Sequence, residues 1–329
     1  MTHIRPFWSL LLLLSLTAAA PAAPKQPLKD TPAVAVVRQF LADRAAGRLD
    51  AAYQRLSAIS RQTISPADFA KGRTPYVSDT RGASPAFIGV AALFLDTHNT
   101  LHDTFTVLGP DPAAPGGVLV RAVSPAGTTA ILRMATVIDP GTSAPHLDFF
   151  GSLKRTDSVQ FARSTENVKR ATSQSNLKQL SLAIIQYAFD HDNHLPDADK
   201  WVDEILPYWN NVKDDSFHVE NLFRDPSAPV GEKYSYAFNR TLSGAVIDVP
   251  TQPSGVLDSI RSREGGETSP AASTVLLFES TTGVKNASDT GLSVPKPGRH
   301  LGGTDYAFAD GHVRWLPDGT APSFALTGK

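Results

Sequence analysis

Residues 298–316 read GRHLGGTDYAFADGHVRWL. Tyr306 and Phe308 on one side, and Val313 and Trp315 on the other, alternate with polar or small residues around Asp310-Gly311. This is the pattern of two paired strands. Asp-Gly is a preferred centre for a two-residue hairpin turn, in which both central residues take positive φ. The stretch therefore predicts an antiparallel hairpin closed by Asp310-Gly311. Upstream, STVLLFES (273–280), KYSYAFNRTL (233–242) and FRDPSAP (223–229) alternate in the same way between turn residues, so further strands are expected. Before them, Thr156 to Asp192 contains no Gly or Pro and predicts one long helix, ended by Pro196. Its first half is polar with a basic excess. Only NLKQLSLAIIQYAF (176–189) is apolar enough to be core. A second helix is expected from Asp199 to Trp209.

The preceding third of the chain shows helical spacing first. Val34, Val37, Phe40, Leu41, Ala45, Leu49, Ala52, Tyr53 and Leu56 recur at three- and four-residue intervals. A break is expected at Gly47, with Asp50 as the next N-cap, and a short helix begins at Ser65-Pro66. The apolar runs Phe87–Leu95, Thr104–Leu108, Val118–Val123 and Thr129–Ile138 then read as antiparallel strands. The expected fold class is α+β in two domains, residues 30–150 and 155–320.

Composition narrows the function classes. Lys and Arg number 31 against 32 Asp and Glu, which removes the basic field that non-specific nucleic-acid binding needs. The chain has no cysteine, which excludes disulfides, thiolate metal sites and cysteine nucleophiles. Residues 1–23 read as a signal peptide: His3 and Arg5, an apolar run from Phe7 through Leu16, then small residues with Ala20 and Ala22 forming an A-x-A cleavage site. The apolar run falls short of the ~20 residues that span hydrocarbon. The expectation is a periplasmic or secreted protein without a transmembrane segment after cleavage.

Three groups of residues could carry chemistry. Asp96, His98, His102 and Asp103 lie in DTHNTLHDT (96–104); the two histidines are four apart, which on a helix would place both rings on one face as metal ligands. Between two predicted strands a solvated loop is the expectation. Asp190, Asp192, Asp197 and Asp199 suggest calcium, since hard cations want several carboxylates. The EF-hand template fails: position twelve is Trp201 or Tyr208 and neither frame has glycine at position six. An acidic loop without a cofactor is expected. His300 could pair with Asp310 or His312 as acid and base or as metal ligands. No nucleophile-elbow pattern accompanies it. The expected role is structural: His300 bonded to the hairpin backbone, Asp310 closing the turn, and Gly302, Gly303 and Gly311 supplying unusual φ values.

His300, nine residues, then Asp310-Gly311 and His312 resemble the H-x9-DG motif that ends the DUF1559 group of pilin-like, type II secretion pseudopilin-like proteins. NLKQLSLAIIQYAFDHDNHLP (176–196), YSYAFN (234–239) and TVLLFES (274–280) fall in that family's order, so the resemblance covers about residues 160–318. It implies a long helix packed on an antiparallel sheet. The segment before NLKQL, KRTDSVQFARSTENVKRATSQS (154–175), is polar and departs from the family's apolar anchor helix and prepilin cleavage site. In the first domain, VRQFLADRAAGRLDAAYQRLS (37–57) and ISPADFA (64–70) resemble the NTF2-like, SnoaL-like family of helices on a curved sheet. Together the resemblances imply an exported, non-catalytic envelope protein that contacts envelope or secretion-system proteins or itself. The alternatives are a hydrolase or small-ligand-binding protein using an NTF2-like cavity with Asp96, His98, His102 or Asp103, and a calcium-stabilised envelope module.

Overall fold

The computed structural model describes residues 30–77, 80–95, 104–209, 218–246 and 270–325. The signal-peptide segment and Asp96, His98, His102 and Asp103 lie outside them. The chain is α+β with antiparallel sheets and divides into two compact units, Met1–Gly72 with Ser84–Thr156, and Arg73–Ala83 with Asp157–Lys329.

The first unit opens with α1 (Pro32–Ala45), where Thr31 accepts the Val34 N–H at 3.3 Å and Pro32 occupies the first turn. Val34, Val37 and Phe40 form its buried stripe. Gly47, at φ +70°, ends it, as its freedom from a Cβ allows. α2 (Leu49–Gln54) has Arg48 at its N-cap, so Asp50 is not the cap but stands inside the first turn, where an acid still suits the helix dipole. α3 (Ala58–Thr63) and α4 (Pro66–Ala70) follow, each capped by a serine, Ser57 and Ser65.

The run predicted as a strand at Phe87–Leu95 is a helix, α5 (Pro85–Leu95). A short continuous apolar run fits a buried helix and a buried strand equally well by periodicity. Here the start signal decides it: Ser84 Oγ accepts the Phe87 N–H at 3.2 Å with Pro85 next to it, repeating the Ser65-Pro66 opening of α4. From Phe87 to Leu95 only Ile88 escapes full burial, which leaves no polar face to set a helical period. The strands β1 (Thr104–Pro110), β2 (Gly117–Val123), β3 (Thr129–Ile138) and β4 (Pro145–Asp148) form an antiparallel meander in chain order. α6 (Phe149–Thr156) follows, and Phe94 meets Phe40 at 5.4 Å and Phe149 at 5.0 Å between ring centroids in the core.

The second unit is organised by α7 (Ser158–Asp190), 33 residues capped by Asp157. Tyr76, from the segment that belongs to this unit, stacks on Phe161 near its start. The chain continues through α8 (Trp201–Ile205) and a 3-10 turn to Trp209, where one helix from Asp199 was expected. The strands β5 (Tyr236–Asn239), β6 (Val275–Glu279), β7 (Ser288–Asp289), β8 (Gly303–Phe308) and β9 (Val313–Pro317) lie in the order β7-β5-β6-β8-β9. Only β5 and β7 run parallel. On one face Leu277, Ala307, Tyr236 and Phe238 pack with Leu177, Leu180 and Ile184 of α7. On the other, Val275, Phe278, Tyr306 and Phe308 pack with Ala287, Val294 and Phe324. β6 and β8 are thus buried on both faces.

The predicted hairpin joins β8 and β9 with a different turn. Of Asp310 and Gly311 only Gly311 has positive φ, at +82°. Phe308 accepts the Gly311 N–H at 2.8 Å and donates to His312 O at 2.9 Å, closing a three-residue loop. That loop is a tight turn followed by a left-handed glycine, which leaves Asp310 free to accept the His312 N–H at 3.0 Å.

Candidate functional site

Where α7 passes from its polar half to its apolar half, a buried polar cluster lies between helix and sheet. Its row on the sheet follows from strand phase. In β6, Leu277 faces α7 and so does Glu279 two residues on; in β8, Ala307 faces α7 and so does Asp305. Tyr236 of β5 pairs with Glu279, and the Asp305 N–H donates to Glu279 Oε1 at 3.2 Å. From α7, Ser173 Oγ bonds Glu279 Oε1 and the Tyr236 hydroxyl, each at 3.1 Å, and Gln174 Nε2 donates to Asp305 Oδ1 at 2.8 Å.

Two loops complete the cluster. His300 Nε2 lies 2.9 Å from Asp225 Oδ2 and 3.3 Å from Glu279 Oε1. Asp225, Glu279, His300 and Asp305 are all 0% exposed. The His300 loop is fixed by its backbone: His300 and Gly303 exchange N–H···O bonds at 3.0 and 3.1 Å, and Trp315 Nε1 donates to His300 O at 2.8 Å. Next to it Arg299 binds Glu232 at 3.0 Å and donates to Ser280 O and Ser235 O, tying the Asp225 loop to the same place.

The electrostatics follow from burial set against pairing. Burial by itself would lower His300, but its bonds to Asp225 and Glu279 and their charges raise it to about 10. Burial raises Asp225, yet the hydrogen bond and charge of His300 hold it below the ordinary carboxylate value. Glu279 is raised, by burial first, with His300 opposing. Asp305 is pushed up to about 7 by burial and by the neighbouring Glu279. The imidazolium and the Asp225 carboxylate form an ion pair held out of water, and two more carboxyls stand beside it. Chemically the group can hold protons tightly or ligate a cation. Among the described residues, Asp225, Glu279 and His300 are the only three His, Asp or Glu side chains that could share one metal ion.

The residues anticipated from sequence are placed as follows. His300 is central, but its ring meets buried carboxylates and not the hairpin backbone; its main chain makes the backbone contacts instead. It pairs with neither Asp310 nor His312. Those two pair with each other, at 2.6 Å, and His312 stacks on Phe308 at 4.4 Å, a contact local to the turn. Gly302 has φ +74° as expected, whereas Gly303 does not have positive φ. Gly303 is required for space: a Cβ there would lie 2.4 Å from Leu316 O and 2.5 Å from the Trp315 ring. Asp190, Asp192, Asp197 and Asp199 are not gathered around one point. Asp190 accepts from the Tyr208 hydroxyl, Asp197 from the Asp199 N–H, and Asp199 binds Arg240. Asp225, Glu279 and Asp305 were missed. A signal for two of them was present, because Glu279 and Asp305 keep the phase of core residues two positions away.

No family model matches the chain, and neither the curated proteins nor the solved structures give a match. No helix among the described residues is long and apolar enough to cross a membrane.

Proposed function

We propose that this is an exported, non-catalytic protein of the bacterial envelope that acts through protein–protein contacts. In this reading its second unit is a pilin-like module reused without an anchor helix and its first an NTF2-like module. The observation that carries it is the burial of His300, Asp225 and Glu279, the residues best equipped for acid–base work, at 0% exposure. A general acid or base must reach a substrate. Groups sealed between α7 and the sheet serve the architecture instead. A long helix whose apolar half packs on an antiparallel sheet, followed by a C-terminal hairpin, supports the pilin-like reading, and the ordered words of sequence agree with it.

The test has two arms. N-terminal sequencing of the protein recovered from the periplasm or medium of a bacterial host should begin after Ala19 or Ala22. A chain from Ala23 used as bait on envelope extract, with calcium and with chelator, should retain secretion, pilus or surface-layer components. An uncleaved chain in the cytosol, or bait that retains none of them in either condition, would overturn the proposal and direct ligand screening to the first unit.

A further inference from the structure

We propose that Asp225, Glu279 and His300 bind one divalent metal ion of the zinc or manganese class, which clamps the Asp225 and His300 loops onto the interface between α7 and the sheet. Geometry is the first argument. Asp225 Oδ2, Glu279 Oε1 and His300 Nε2 lie within 4.8 Å of one another, and two of the separations are 2.9 and 3.3 Å. Donors about 2.0–2.2 Å from a common tetrahedral ion stand roughly 3.3–3.6 Å apart. Only a small adjustment separates the present arrangement from a coordinating one.

Unsatisfied polar atoms are the second argument, independent of the spacing. Glu279 Oε2 and Asp305 Oδ2 are buried with no hydrogen-bond partner, as is His300 Nδ1. A buried carboxyl oxygen without a partner forgoes the hydrogen bonds it would make to water. Two such oxygens in one cluster leave acceptor positions that a cation can use.

The donor set agrees. Three carboxyls share the cluster with one imidazole, which ligates through Nε2 once that nitrogen has given up its proton. Arg299 is committed to Glu232 and two carbonyls, and Arg170, over the Trp315 ring at 5.6 Å, acts on Asp305 by its charge alone. The donor set selects the class of ion: one imidazole nitrogen with carboxylate oxygens suits zinc or manganese, whereas calcium prefers oxygen alone. The ligands are also braced from outside, Glu279 by Ser173 and the Asp305 N–H, and Asp225 by the Ser227 N–H.

The experiment uses the full chain, stripped with chelator and then titrated with Zn2+ and Mn2+ by calorimetry and thermal melting. The expected result is one ion per chain, a rise in melting temperature on binding, and at least about tenfold weaker binding in Glu279→Gln. His312→Ala, which alters the half-buried Asp310 pair at the turn, should leave uptake unchanged. Should Glu279→Gln fail to fold, Co2+ loaded into the unaltered chain decides the matter: intense visible bands of a four- or five-coordinate site support the proposal, and their absence overturns it. A chain that takes up no ion, or one whose uptake is lost in His312→Ala, overturns it equally.

Discussion

Asp43 is the acid on which two arginines of the first unit converge. Its carboxylate meets Arg55 at 2.6 Å and Arg48 at 2.7 Å, and these hydrogen bonds, Arg55 first, hold it below the ordinary value against the opposing effect of burial. A carboxyl with a lowered folded pKa stabilises fully above its unfolded value, about 3.9, and the contribution is lost as pH falls through the lower folded value. Asp43→Asn should therefore melt below the parent chain at pH near neutrality, with the gap closing as pH drops below about 4. A gap that stays constant across an acid series of melting curves would show that the ion pairs contribute nothing. The two glycines after His300 behave differently from one another. Gly302 has open space but φ +74°, so Gly302→Ala should cost about 1–2 kcal/mol of backbone strain. Gly303→Ala drives a methyl into backbone and an indole ring and should cost about 3 kcal/mol or more. Urea midpoints in the reverse order would contradict the assignment of space to one position and φ to the other.

At the scale of elements, the start of α5 carries more information than its apolar run. Ser84→Ala removes the oxygen that receives the Phe87 N–H and should cost about 1 kcal/mol, read as a lower urea midpoint at unchanged slope. A null effect would mean that burial alone holds the helix. The same comparison explains what could be read beforehand. α1, α4 and α7 were legible because each has a polar face, a start signal, or a long stretch free of Gly and Pro. α5 was not, since nine residues from Phe87 to Leu95 offer no polar position with which to measure a period. The hairpin of β8 and β9 was legible as a pair of strands. Its turn was misjudged because Asp-Gly fits both a two-residue turn and the end of a three-residue loop, and the choice rests on Ala309 joining the turn.

For the molecule as a whole, the two-sided burial of β6 and β8 predicts where the second unit opens last. The amides of Leu277, Phe278 and Ala307 should exchange with solvent more slowly than those of β9 or α8, as hydrogen exchange followed by mass spectrometry would show. Faster exchange in β6 than in β9 would mean that the unit unfolds through its centre. The candidate site was only half legible at this scale. His300 stood out as a histidine in a recognisable word, but its partners come from positions 225 and 279, with Asp305 bonded to the second of them, and only the folded sheet brings them together. The same row of polar groups has a mechanical consequence for α7. A helix meeting the sheet through Leu177, Leu180 and Ile184 alone could slip by one turn, about 5.4 Å, and still place aliphatic against aliphatic. With Ser173 and Gln174 keyed to Glu279 and Asp305, such a slip would strand four polar side chains in an oily seam, at roughly 1–3 kcal/mol apiece. The row is a detent: the leucines press the helix to the sheet, and the polar pairs choose the single notch in which it comes to rest.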